Sequence, residues 1–173
     1  MTKRELNGFF LITFMGLFCF GVITFNALGL WAQTAEESPQ PVLSSEQLLE
    51  ERRKLSSLVN EERRKKGLAP LAWDDTVADA AQVRAEELGT QFLHYRPKGR
   101  GSFLSVLEEF GIETSAAGEL LSQGHINAQG VMEEWMSSEP DRDTILSERH
   151  ERIGVGASYG PDGNLNWEML FVN

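Results

Sequence analysis

The chain has 173 residues, a formal net charge of −10 and one cysteine. Setting aside Lys3, Arg4 and Glu5 of the first 32 residues leaves 14 basic against 25 acidic residues, a balance that argues against nucleic acid or anionic lipid as the main partner. Some 130 residues beyond the leader and linker suffice for a single domain with a core of its own.

Lys3 and Arg4 precede an apolar run from Phe9 to Phe25, which continues weakly apolar to Ala32. A basic lead followed by an apolar core reads as a secretory signal, and residues 9–32 are also long enough to span a bilayer as a helix. Residues 1–32 are therefore a signal peptide or signal anchor. Ala27-Leu28-Gly29 and Leu30-Trp31-Ala32 are mediocre cleavage sites, which favours retention. Glu36 and Glu37 against Lys3 and Arg4 put the C-terminal bulk outside the cytoplasmic membrane, secreted or held on its outer face. Cys19 lies inside the apolar run, so the exterior domain has no internal disulfide, a usage that favours a bacterial envelope over a small animal or plant secreted domain.

Residues 33–43 form a Pro- and Glu-bearing linker, and residues 44–173 a single domain. Ser44 to Gln47 offers a capping box for a helix that carries Leu48, Leu55, Leu58 and Val59 and ends in Arg63–Lys66 before Gly67. Leu68 to Trp73 reads as a turn with apolar anchors. Asp74 or Asp75 starts a second helix with Val77, Ala80, Ala81, Val83 and Leu88 on or near its buried side. Residues 97–101 are a loop, Phe103 to Phe110 a short helix closed by Gly111, Ala116 to Ser122 a strand, and Asn127 to Ser137 a helix capped by Asn127. Ile153 to Tyr159 and Leu165 to Val172 flank a turn-rich loop and predict a hairpin. Helices first and a strand pair last imply a layered α+β domain.

Most motifs resolve to bland features. Gly154-Val155-Gly156 precedes a turn and a strand rather than a helix, so it is a glycine-bearing strand and not a dinucleotide loop. Asp162-Gly163-Asn164 is a turn, too short for a calcium loop. His150-Glu151 lacks the second histidine of a zinc-protease helix. No serine sits in a nucleophile-elbow context.

What remains is an ordered set of segments: Leu58-Val59-Asn60-Glu61-Glu62-Arg63, Gly67 to Asp74, Phe92-Leu93-His94, Ala117-Gly118-Glu119, Trp135 through Arg142 and Leu146, Ile153 to Gly156, and Trp167 to Phe171. Together, from about Gln47 to Val172, they resemble a bacterial domain of the CAP superfamily (cysteine-rich secretory protein, antigen 5, pathogenesis-related 1). The resemblance implies an α-β-α sandwich with a small, mainly antiparallel sheet flanked by helices. It also implies a cleft with two histidines and acidic residues that in several members binds a divalent metal. By position, His94 matches the first histidine and Glu119 the glutamate. The second histidine falls on Asp141, the asparagine after the glutamate is Leu120, and Glu139 lies one place from a second glutamate.

His94, Glu119 and Asp141 are thus the candidate catalytic residues, and with Glu139 the candidate ligands of a divalent cation. One imidazole with carboxylates leans toward harder ions than two imidazoles do. Glu119 and Asp141, if adjacent, would repel each other and favour protonated His94. His125 is a loop residue and a spare imidazole. With no credible nucleophile, a non-catalytic domain that binds a small ligand, lipid, glycan or cell-wall fragment is preferred to a His94-based hydrolase or to a tethered interaction module. The choice between enzyme and binder stays open at this point.

Overall fold

A computed structural model describes residues 42–173; the leader and most of the linker lie outside the described residues. Helix α1 spans Ser45–Lys65, and the expected capping box is formed: Ser44 accepts from the Gln47 backbone and Gln47 accepts from the Ser44 backbone. Strand β1 (Ala72–Trp73) leads into α2 (Asp75–Leu88), whose first turn is capped by the Asp74 carboxylate accepting from Thr76 and Val77. A 3-10 turn (Pro97–Gly99) and α3 (Leu104–Glu109) follow, then β2 (Ala117–Gln123), α4 (Ala128–Ser137), α5 (Glu139–Ile145), β3 (Arg152–Tyr159) and β4 (Leu165–Val172).

The four strands lie in the order β1-β3-β4-β2. β3–β4 and β4–β2 are antiparallel, and the two-residue β1 runs parallel to β3. Side chains alternate between the two faces of a sheet, and both faces here are covered. Leu120, Trp167, Met169, Phe171 and Val155 pack with Leu55 and Val59 of α1 and Val131 and Trp135 of α4. Leu170 and Val172 pack on the opposite face with Val77, Ala80 and Ala81 of α2 and Val106 and Leu107 of α3. The result is the expected α-β-α sandwich of α+β class.

Two glycines set the spacing of one layer. A Cβ on Gly154 would lie 2.2 Å from the Ala78 backbone nitrogen, and one on Gly156 would lie 2.1 Å from the Ala81 carbonyl oxygen. The glycine-bearing strand therefore exists so that the α2 backbone can rest directly on β3. Two elements differ from the sequence reading. Ala72 and Trp73, read as part of a turn, hydrogen-bond to the edge of the sheet. Residues 139–145, to which no element was given, form α5, with Pro140 in its first turn, where its missing N–H costs nothing.

Candidate functional site

The site grows from the alternation of β2. Glu119 pairs in register with Leu170, and Leu121 with Glu168, so Glu119 and Glu168 project from the α2 face of the sheet. Arg84 reaches down from α2 onto Glu119. Its Nε donates to Glu119 Oε1 at 2.9 Å, one Nη to Glu87 at 2.9 Å and the other to the Leu93 carbonyl at 3.0 Å. Glu119 Oε2 lies 2.6 Å from His94 Nδ1. The carboxylate is fully buried while the imidazole side chain is 62% exposed, so Nε2 of His94 is the atom offered to solvent.

His94 belongs to a loop held mostly by charge. Arg96 is buried and binds Glu87 and Glu109, the latter through two hydrogen bonds at 2.7 and 2.9 Å. Arg100 lies 2.6 Å from Glu87. The loop closes on itself through Phe103 N to His94 O and Arg96 N to Gly101 O. Gly101 has φ +89°, a conformation that a side chain strains. Burial pushes the Glu87 carboxyl up, but hydrogen bonds from Arg96 and Arg84 outweigh it and hold it below its ordinary value. The Arg84 guanidinium also loses by burial, yet the adjacent Glu119 and Glu168 leave it raised.

Glu168 is the residue that sequence reasoning missed. It is wholly buried, and neither carboxyl oxygen meets a donor among the described residues. Burial first, and then the Glu119 charge, raise its carboxyl well above the ordinary value, with Arg84 opposing. The sequence does carry a signal for it. In Leu165 to Val172 every second residue from Asn166 faces α2, and Glu168 is the one acidic side chain on that covered face.

The remaining candidates stand elsewhere. Glu139 is exposed and Asp141 partly so, both in the first turn of α5. That helix rests on the other face of β2: a Cβ on Gly118, the neighbour of Glu119, would meet Thr144 at 3.0 Å. The expected Glu119–Asp141 repulsion is therefore replaced by Arg84 and His94, which occupy the two oxygens of Glu119. His125 does lie in the loop before α4, but its Nε2 is 3.2 Å from Glu134, which also accepts from Ser122 on the face opposite Glu119. Among the described residues no three His, Cys, Asp or Glu side chains converge as a cation site would require. The donor set that does meet is His94 with a carboxylate already engaged twice, which does not fit a divalent ion without rearrangement.

The profile of the cysteine-rich secretory protein family, CAP, matches residues 57–172. The chain belongs to the CAP family. It is 31% identical over 141 residues to the uncharacterized protein YkwD of Bacillus subtilis, covering 80% of this chain and 53% of that protein. It is 30% identical over 105 residues to the uncharacterized membrane protein YlbC of the same organism, covering 60% and 30% respectively. The chain thus spans about half or less of the length of these relatives.

Among solved structures, an outer surface protein of Borrelia burgdorferi superposes with a TM-score of 0.65 at 23% identity, covering 72% of this chain and 92% of that one. An extracellular SCP-domain protein of Bacillus anthracis gives the same score and identity over 77% of this chain and 45% of its own. At that identity the likeness shows the fold.

Proposed function

We propose that this chain is an extracytoplasmic CAP domain that binds a ligand beside His94 without turning it over, with residues 1–32 serving as signal or anchor. One observation carries the reading. Of the six exposed large apolar side chains among the described residues, four flank His94: Phe92, Leu93, Tyr95 and Leu104, the last on the helix that closes the loop. An apolar cluster kept in water marks a contact surface. A ligand that offers an apolar face together with a polar group suits it, and among the classes considered a lipid or a lipid-bearing wall fragment answers that description better than a bare glycan. Asp141, in the position of the second family histidine, then acts outside this contact surface.

The hydrolase reading retains one argument, the His94–Glu119 pair, because a carboxylate on Nδ1 orients Nε2 as a base. No hydroxyl or thiol hydrogen-bonds to His94 among the described residues, so the pair has no nucleophile to activate.

NMR titration of the full chain with phosphatidylglycerol bicelles, phosphatidylcholine bicelles and chitotetraose tests the proposal. Saturable shifts at His94 and Tyr95 with one of these probes are expected, weakened at least about tenfold in His94→Ala at unchanged melting temperature. No shift at these residues with any probe, or turnover of a probe that His94→Ala abolishes, would overturn it.

A further inference from the structure

The opposite face of the sheet carries a second, unrelated feature. A cavity of about 480 Å³ opens between the end of α1, the 67–70 loop and the segment before β3, within the size range of small-ligand sites. Arg63, Leu68, Ala69, Pro70, Glu148 and His150 line it, with Glu151 at its edge. A smaller cavity of about 240 Å³, bordered by Gly118 and Thr144, meets it at His150.

His150 is 5% exposed and tilts against Phe171 at 5.5 Å, on the sheet face opposite Glu119. Its Nδ1 is buried and has no protein donor among the described residues.

Arg63 supplies the complementary charge. It is 2% exposed; Nε donates to the Ala69 carbonyl, and Nη1 donates to the carbonyls of Ile145 and Ser147. Its Nη2 has no protein acceptor among the described residues. The guanidinium is therefore fixed by three backbone bonds with one edge spare, which is the arrangement that receives a carboxylate. Glu148 and Glu151, both exposed, place negative charge at the mouth. Leu68 and Pro70 add apolar wall.

We propose that this cavity binds a short zwitterionic peptide, with the carboxylate on Arg63 Nη2, the ammonium at Glu148 and Glu151, and its backbone along the wall that includes His150. The site is separate from the His94 surface, and neither proposal depends on the other.

The test is a titration of the full chain, labelled with nitrogen-15, with L-alanyl-L-alanine, its N-acetyl and C-amide derivatives, and L-alanine. The dipeptide should shift the His150 ring nitrogens and the amides of Gly67 to Ala69 saturably. The amide, lacking the carboxylate, should bind at least about tenfold more weakly. Ala69→Phe, an exposed position at the rim, should abolish the shifts. The pair E148Q and E151Q should weaken the free dipeptide but leave the acetylated one unchanged, which keeps the proposal testable if Ala69→Phe perturbs the loop. Absence of saturable shifts at these residues overturns the site, as does binding that persists unchanged in both variants. Equal affinity for alanine overturns the peptide assignment.

Discussion

Replacing Glu168 with glutamine should make the protein more stable, against the general rule that buried substitutions destabilise. Glu168 lies under α2 on the central strand β4, wholly buried, with no donor to either oxygen among the described residues. Arg84, the cation set against it, already uses Nε on Glu119, one Nη on Glu87 and the other on the Leu93 carbonyl. Removing the Glu168 charge therefore strands nothing. The glutamine keeps the shape and brings an N–H₂ that can donate toward Glu119. The gain is the cost, above the ordinary carboxyl range, of either burying the Glu168 charge or holding a proton on it, about 1–3 kcal/mol.

The pH dependence follows from the raised carboxyl. Above the ordinary value of 4.5, the folded chain holds a proton that the unfolded chain releases, so the contribution of this group to stability falls as pH rises through that window. Glutamine has no such slope. The difference between E168Q and the parent should be small near pH 4 and grow as pH rises toward 8, as read by urea denaturation at several pH values. A variant less stable than the parent near pH 8, or a difference that stays flat with pH, would refute the assignment of Glu168 as a buried, uncompensated carboxyl.

Arg84→Met should cost about 3–5 kcal/mol, because it leaves Glu119, Glu87 and Glu168 facing one another without their shared cation; a loss below about 1 kcal/mol in the same denaturation assay would contradict the geometry. Gly156→Ala puts a Cβ 2.1 Å from the Ala81 carbonyl oxygen, and lifting α2 off β3 should cost about 1–3 kcal/mol or more; an unchanged denaturation midpoint would show that the helix does not rest there. His150 is held below its ordinary 6.5, first by burial and then by Arg149 and Arg63, with the Ala116 backbone opposing. Its unfolded form takes up a proton first, so stability contributed by neutral His150 is lost as pH falls below about 6.5. His150→Phe should flatten the slope between about pH 7 and pH 5, and an unaltered slope would remove His150 as its source.

Much of the fold is legible in local chemistry. The caps at Ser44, Asp74 and Asn127 sit where their side chains dictate, and the hairpin strands match their apolar runs within a residue. α5 was not legible, because its seven residues offer Ile145 as their one large buried side chain and begin with Glu-Pro, which reads equally well as a loop. The reason for Gly154 and Gly156 was hidden too, since the approach of α2 is a tertiary distance with no local signature.

For the site, His94 and Glu119 could be singled out only through the family resemblance, and their contact is a fact of three dimensions. Arg84 had a signal that went unread. Val77, Ala81, Arg84 and Leu88 share one helical stripe, and a charge within an apolar stripe asks for a buried partner.

The use of charge around His94 bears on how the loop works. The negative charge around His94 comes from Glu87, Glu119 and Glu168, with Arg84, Arg96 and Arg100 set against them. Such buried pairs are rarely a more stable choice than apolar packing, so stability alone does not account for them. An apolar anchor would fix the loop by burying Phe92, Leu93 or Tyr95 in the domain. The ionic anchors at Arg96, Arg100 and His94 hold the backbone while those side chains stay outside. The network thus fixes the His94 loop without consuming the surface that the loop presents, and that is the physical ground for reading the loop as a place of contact.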